Sequence, residues 1–553
     1  MEILRFKKAN CKNCYKCIRE CPIKAIRFRE HQAQIIRDEC ILCGRCVRVC
    51  PQNAKEVRDD TYLVKEFLRK GEKVIMAMAP SYAAAFRVRS LTPVAEAVKK
   101  LGVWDVSETA IGAKMVKTEY EKLVAEGHPV IISTCCHSIV RLVQKYYVDC
   151  IPYLAPVISP MHAHAKLLKE QCPDAKVVFV SPCISKKDEV DQYCDGAVDC
   201  TITFDELYDW LQEEGIAIDA SLDDQERYRS RFFPETGGIL KSMDHDPSCH
   251  YLAVDGVENC RHALEEIQAG GLRGCFIEMS ACSGSCVNGP AMPKAVRGVL
   301  TGQTYVEDSA DPVKDYDVRP EPLNKHIVMD RPSLEMPGEG AIEEILAKIG
   351  KHRPEDMLNC GACGYPTCRD KAIAVYQGKA ELEMCLPYMK ERAESVSNNV
   401  LDATPNAIIA VDDSLTIQQF NRAAYTLYGI DPAVDMTGHP ADEVYDVVEL
   451  AEVVDSRQNI LSERCLLECR GIYVEKSIVY DEEHRLLLIF LKDINKEEQE
   501  AKRAAAMRRD TIEITDQVIS KQMRVVQEIA SLLGETTAET KIALTKLKNS
   551  MAD

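Results

Sequence analysis

Three kinds of hydrophobic pattern follow one another along the chain. From about residue 72 to 345, apolar runs alternate with amphipathic stretches. The runs at 73–78 (KVIMAM), 129–133 (PVIIS) and 176–180 (KVVFV) predict strands, and the segments 93–101 and 159–171 predict helices between them. Strands alternating with helices predict parallel βαβ units and one large α/β domain. Residues 311–340 are rich in Pro, Asp and Gly and read as an excursion or linker, followed by a helix at 341–350. Residues 396–496 change character. Short alternating strands at 407–412, 415–420 and 486–492 surround short helices, which predicts an α+β domain. From 497 to 553 the chain is charged, helical in pattern and free of Pro. Ile512, Ile519, Val526 and Leu533 recur every seven residues, but Asp516, Met523 and Ala530 are only partly apolar and Gly534 interrupts. This is a weak heptad.

Composition narrows the function classes. With 69 basic and 87 acidic residues the net charge is −18, a poor match for nucleic acid or an anionic membrane surface. No run of about 18 apolar residues predicts a membrane span, and the first residues lack the apolar region of a secretory signal. The expectation is a cytoplasmic protein. The 26 cysteines change the picture most, with eight in the first 50 residues and four more between 360 and 385. Clustered cysteines in an intracellular chain point to metal rather than disulfides. The 12 histidines show no zinc-finger spacing beside them, so the candidates are iron–sulfur clusters or all-cysteine zinc.

Residues 1–58 hold two tandem runs, Cys11-x2-Cys14-x2-Cys17-x3-Cys21-Pro22 and Cys40-x2-Cys43-x2-Cys46-x3-Cys50-Pro51. This is the bacterial two-cluster ferredoxin pattern, in which three close thiolates hold one cubane and the fourth comes from the other run. It assigns Cys11, Cys14, Cys17 and Cys50 to one [4Fe–4S] cluster, and Cys40, Cys43, Cys46 and Cys21 to the other. A zinc ribbon is the alternative, and it needs only paired CxxC motifs. A third set, Cys360-x2-Cys363-x4-Cys368-x16-Cys385, lies in a module at 346–393 and resembles a [4Fe–4S] module of anaerobic redox proteins. A four-cysteine zinc site is the alternative there.

The α/β domain at 72–345 carries three separated motifs. They are Ser133-Thr134-Cys135-Cys136-His137, Pro182-Cys183-Ile184-Ser185-Lys186-Lys187-Asp188-Glu189, and Glu278-Met279-Ser280-Ala281-Cys282-Ser283-Gly284-Ser285-Cys286. Each follows an expected strand or lies in a Gly-rich loop, where ligand groups gather in α/β folds. Together and in this order, behind the ferredoxin-like head, they resemble the TSCCP, MPCxxKxxE and ExMxCxxxC signatures of [FeFe] hydrogenases. The resemblance covers about residues 1–390. It implies an H-cluster: a [4Fe–4S] cubane joined through a cysteine to a di-iron subsite with CO, cyanide and azadithiolate. By motif, Cys136, Cys183, Cys282 and Cys286 would hold the cubane, with Cys286 bridging. Cys135 matches the proton-relay cysteine, Lys186 a residue that binds one cyanide, Ser81 a serine at the other cyanide, and Glu189 a carboxylate that anchors the loop.

The surroundings depart from the usual pattern. His137 replaces a Pro, Ser181 and Ser280 replace Met residues, Asn288-Gly289-Pro290-Ala291 replaces a glycine run, and Glu119-Tyr120 replaces paired glutamates. His137 reads as a packed histidine, with an extra proton relay as the sharper alternative. The nine further cysteines, besides Cys135, read as ordinary thiols.

The stretch AIIAVDDSLTIQQFNRAAYTLYG at 407–429 resembles the opening of a PAS domain, of unknown ligand. The expected architecture is therefore multidomain α/β: ferredoxin-like head (1–58), H-cluster domain (72–345), [4Fe–4S] module (346–393), α+β PAS domain (396–496) and helical tail (497–553). What the resemblance implies is an oxidoreductase for H2, protons and electrons. Its carrier would be ferredoxin or a similar protein, with regulatory output through the PAS domain and a signalling partner or homodimer through the tail. Two alternatives stand beside it: an H2 or redox sensor with low turnover, and a hydrogenase-related iron–sulfur assembly factor without a di-iron centre.

Overall fold

The computed structural model describes residues 2–550 except 8, 9, 31, 297, 320 and 321. The expected tail's last residues, 551–553, and isolated positions of the expected head and linker lie outside the described residues. The chain forms two compact units, Met1–Tyr388 and Met389–Asp553.

Most of the first unit is α/β, but its parallel strands are divided between two sheets. One runs Asp105–Glu108, Val74–Met78, Lys176–Ser181, Cys200–Thr203; the other runs His250–Asp255, Cys275–Ser280, Val130–Ile132. All neighbouring pairs are parallel. Val74–Met78 is buried at every position, as a parallel strand covered on both faces must be. That explains its continuous apolar run. The expected helices are found at Thr92–Lys99 and Pro160–Gln171, the second capped by Ser159 and opened by Pro160.

The head places each cysteine run at the start of a one-turn helix, Lys16–Arg19 or Arg45–Arg48. Each helix is entered through a left-handed residue, Tyr15 (φ 54) or Gly44 (φ 70). At Gly44 a side chain is also sterically excluded, since its Cβ would lie 2.4 Å from Pro290. The segment 311–340, read as an excursion or linker, is a strap packed on the α/β core. Leu323 is buried, the Asp315 carboxylate pairs with Lys117 at 2.7 Å, and the Tyr316 hydroxyl donates to Glu108 at 2.8 Å. Its Pro and Asp residues prevent regular structure without preventing packing.

In the second unit five antiparallel strands run in the order Ile417–Phe420, Ala407–Asp412, Leu486–Asp493, Ile472–Asp481, Ile460–Leu467. Leu487, Ile489 and Leu491 alternate inward with period two. Asn421 is a buried pivot. It caps the helix Arg422–Tyr428 through the Ala424 N–H (3.0 Å), accepts from the Ile408 N–H (2.9 Å), and donates to the Leu401 and Asn406 carbonyls. The tail is one helix, Asn495–Ser550, which passes through Gly534.

Candidate redox site at the strand ends

The two parallel sheets aim their carboxyl ends at one cavity. Ser81 follows Val74–Met78, Cys183 follows Lys176–Ser181, Cys135 and Cys136 follow Val130–Ile132, and Cys286 follows Cys275–Ser280. With Lys186 these line a pocket of about 120 Å³, whose walls include Phe179, Phe233 and Ile239. That is too small for a nucleotide-sized ligand.

Four thiols crowd this site. Burial pushes Cys136 up, and the Cys183 charge adds to the effect. Burial likewise raises Cys282 well above an ordinary thiol, with Cys183, Cys136 and Cys286 adding. Cys286 lines the cavity with its surface partly accessible, and burial raises its thiol, with Cys183 and Cys136 adding. Four thiolates cannot all ionise together in so apolar a place without a cationic core among them. The donor set therefore fits an iron–sulfur core, with Cys136, Cys183, Cys282 and Cys286 as the residues that would hold it.

Around the thiols stand polar groups of distinct kinds. The Lys186 ammonium is buried; it donates to Glu189 Oε2 at 2.5 Å and to the Cys135 carbonyl at 3.1 Å. Glu189 does not reach the pocket wall. It is held well below the usual carboxylate range: burial opposes ionisation, but Lys186 and Lys325 outweigh it. Cys135 is not in the crowded set. Burial pushes its thiol up to about 12, so it is an S–H donor at neutral pH. Its sulfur is 3.3 Å from the Tyr120 hydroxyl, which also meets Thr134 Oγ1 at 3.2 Å and accepts the Thr134 N–H at 2.9 Å. Of the Glu119-Tyr120 pair only Tyr120 faces the site; Glu119 pairs with Lys122 on the surface.

Glu278, named only as a motif residue, lines the pocket. Its carboxylate accepts N–H groups from Gly237, Ile239 and Leu240, yet burial outweighs them and raises it to about 7. His137 is buried and its Nε2 lies 2.9 Å from Asp188 Oδ2, which also accepts from Arg141 at 2.6 Å. Burial lowers its pKa, so the ring is neutral. The ring also lines the cavity and its Nδ1 has no hydrogen-bond partner, so the geometry accommodates both the packed histidine and the relay.

In the head, Cys21 lies with Cys40, Cys43 and Cys46, and Cys17 lies with Cys11 and Cys50. Cys46 is raised well above an ordinary thiol by burial and by Cys40, Cys43 and Cys21. Cys17 is raised by burial, with Cys11 and Cys50 adding and Lys55 opposing. Cys14 lies exposed in the same loop. In the module, Cys360, Cys363, Cys368 and Cys385 line one pocket, and the helix Cys368–Tyr376 is capped by Thr367. Among the described residues no three His, Cys, Asp or Glu side chains converge tightly enough to hold a single metal ion. None of the other cysteines forms a disulfide; Cys150, Cys194, Cys200, Cys260 and Cys275 are buried.

Four crowded thiols at the ends of parallel strands, in one unit with three further four-cysteine sets, define an iron–sulfur redox protein. Comparison with known proteins sharpens the class. Residues 72–290 match the family model for the iron only hydrogenase large subunit, C-terminal domain. Residues 3–51 match the 4Fe-4S dicluster domain, and 356–387 match a model for an Fe-S cluster segment. Iron hydrogenase 1 of Clostridium pasteurianum is 28% identical over a region that covers 42% of this chain and 52% of that protein. The chain thus spans about half the length of that curated relative. Among solved structures, a variant of [FeFe]-hydrogenase HydA1 from Chlamydomonas reinhardtii is 18% identical, with a TM-score of 0.40, and is matched over 50% of this chain and 100% of its own. The PAS domain of nitrogen regulation protein NR(II) from Vibrio parahaemolyticus is 19% identical over 18% of this chain and 98% of its own, with a TM-score of 0.16. Over residues 72–290 the chain is similar to the [FeFe]-hydrogenase large subunit, and it carries iron–sulfur cluster segments on either side of that region. No described helix is long and apolar enough to cross a membrane.

Proposed function

We propose that the protein interconverts H2 with protons and electrons at the pocket, and passes the electrons through its clusters to or from ferredoxin or a similar carrier. The observation that carries this reading is the convergence of all three motifs on one cavity, lined by Cys136, Cys183, Cys286, the neutral thiol of Cys135 and the buried Lys186 ammonium, with Cys282 beside those thiolates. When bound, the di-iron group supplies the metal position at which H2 is split or formed. The residues supply the rest. Cys135, uncharged and beside Tyr120, is placed to donate and accept a proton in turn. Lys186, fixed by Glu189, offers an ammonium to an anionic diatomic ligand such as cyanide, and Ser81 offers a buried hydroxyl from the end of the neighbouring strand. Cys286, facing the cavity, is the thiolate suited to bridge.

One cubane at the pocket, three at the other cysteine sets and two irons in the subsite give about 18 iron atoms for the fully matured chain, with four thiolates per cubane. Infrared spectroscopy of matured protein tests this reading. CO and cyanide bands with that iron content are expected; iron near eight with no such bands overturns it.

A sensory reading is favoured by one observation: Ser181 and Ser280 put hydroxyls, not thioethers, on the pocket wall. In that reading H2 turns over slowly, and redox state is reported through the PAS segment and tail to a signalling partner or a second copy. Comparing turnover with H2-dependent change in partner binding separates the two. An assembly factor without the di-iron group would show cubane iron and no CO bands.

A further inference from the structure

The module at 346–393 is not an appendage of the first unit. Lys24, three residues after Cys21, donates to the carbonyls of Ile18 (3.0 Å), Arg19 (2.9 Å) and Gly364 (2.9 Å). Arg19 donates to the Ala362 carbonyl at 3.1 Å. Lys379 and Glu39, both buried, pair at 2.6 Å, with Glu39 next to Cys40. Gly364 has φ +95, and a Cβ there would lie 3.0 Å from Ile18 and 3.3 Å from the Arg19 nitrogen. So the cysteine loop of the module is pressed against the helix that joins Cys17 to Cys21. A buried ion pair and a three-carbonyl lysine are a costly arrangement to desolvate for mere attachment of a surface loop.

The contact falls at a particular place. Tyr365 is buried, Cys363 of the module and Cys21 and Glu39 of the head are its charged neighbours, and its hydroxyl has no hydrogen-bond partner. A buried phenol without a partner calls for an acceptor. Cluster thiolates on either side are acceptors of that kind. The set containing Cys21 has a second neighbour. Cys43 lies close enough to Cys282 to raise it, and Gly44 is held against Pro290. The Cys21–Cys40–Cys43–Cys46 set thus faces the hydrogenase-like pocket through Cys43 and the module through Cys21.

We propose that this set is a three-way electron junction, and that the four-cysteine module is a separate port which exchanges electrons with it through the Tyr365 contact, with Lys24 as the positioning residue. The wire is branched: one arm leads to the Cys11–Cys14–Cys17–Cys50 set and the other to the module. The exchange balances simply. One electron crosses, the donor core is oxidised by one and the acceptor core reduced by one; no bond forms or breaks and no proton moves. This rests on the proposed cluster loading.

The test is electron paramagnetic resonance of the reduced full-length protein, with metal analysis of each sample. Two reduced clusters in such contact couple magnetically and split each other's signals. The double variant Cys360→Ala/Cys363→Ala should lose about four irons and simplify the head signals. Lys24→Met should keep all iron and weaken the splitting. If the double variant loses four irons and the head signals do not change, the junction is wrong while the cluster reading stands. If it loses none, or zinc fills the site, the cluster reading of the module fails instead. Unchanged splitting in Lys24→Met removes that residue's positioning role.

Discussion

The two units bury different things. The first hides full charges: Lys117, Lys187 and Lys371 are among its largest fully buried side chains, and Lys186, Glu189, Glu278 and Arg231 are nearly as deep. The second buries mainly aliphatic sheet residues such as Ile409, Ile417, Val474 and Ile489, and leaves Ile512, Ile519, Val526 and Leu533 more than half exposed on its long helix. Buried charge is expensive and persists where it orients or neutralises something. Exposed apolar surface at helical spacing is the mark of a face awaiting a partner. The proposed division gives chemistry to the first unit and recognition to the second, and each prediction below is a way to break it.

The largest effect is expected at Cys135. Cys135→Ala removes a relay that holds no metal in the proposed scheme, so turnover should fall by about 10²–10⁴-fold while CO bands and iron content remain. Loss of the bands would mean that Cys135 and Cys136 exchange roles. Turnover near that of the parent protein would place the proton path elsewhere in the pocket, with Tyr120 or Glu278 the next candidates.

Next comes the buried pair behind the pocket. Glu189→Gln removes the counter-charge of the Lys186 ammonium and leaves it only neutral acceptors, the new amide oxygen and the Cys135 carbonyl. Breaking a buried pair from one side costs about 3–5 kcal/mol. Denaturant unfolding of cluster-free protein measures this without interference from cofactor loss. A change under about 1 kcal/mol would mean that water reaches the pair and that its charge is of the ordinary surface kind.

A smaller effect distinguishes Glu278. Its folded-state value of about 7 exceeds the ordinary 4.5, so between those values the folded protein binds more protons than the unfolded chain. Stability then falls as pH rises from 4.5 to 7, by at most about 1.4 kcal/mol per pH unit for one such group. Glu206 is also raised to about 7, mainly by burial, and adds a slope of the same sign. Glu278→Gln should reduce the slope without removing it. An unchanged slope would mean that the three backbone N–H donors already hold Glu278 ionised.

How much of this was legible in the sequence follows from the range of each interaction. The strand Val74–Met78 and the helix Pro160–Gln171 announce themselves within a few residues. The cysteine spacings announce the metal sets, because cluster ligation needs a local loop. Division into two parallel sheets did not show, since strand pairing is long-range and both sheets have the same apolar signature. The role of Tyr120 was also hidden. It was noticed only as a departure from a glutamate pair, and its partner Cys135 is set beside it by the packing of a helix on a strand end. Glu278 stands in a legible motif, but its amide donors come from a loop some 40 positions earlier, at Gly237–Leu240. The strap at 311–340 misled for a different reason: Pro and Asp forbid regular structure, and irregular backbone packs against a core as well as regular backbone does.

The smallest expected effect on chemistry is the sharpest test of the division. Deleting residues 404–553 removes the five-stranded sheet and the long helix, and leaves intact every cysteine of the four metal sets, the last being Cys385. The helix Leu386–Ala403 is kept whole. Turnover with methyl viologen, which needs no docking partner, should be unchanged within about twofold. Oligomeric state or partner binding should change instead. A 56-residue helix with more than half-exposed apolar positions every seventh residue gains most by pairing, even though Gly534 costs it about 1 kcal/mol relative to Ala. Light scattering of the full-length and shortened chains reads that change directly. If the shortened chain keeps its iron but loses turnover, the second unit takes part in the chemistry and the two units cannot be assigned separate tasks. If both chains scatter alike and bind the same partners, the exposed face of the tail is not a recognition surface, and the contrast in buried charge stands without a functional counterpart in the second unit.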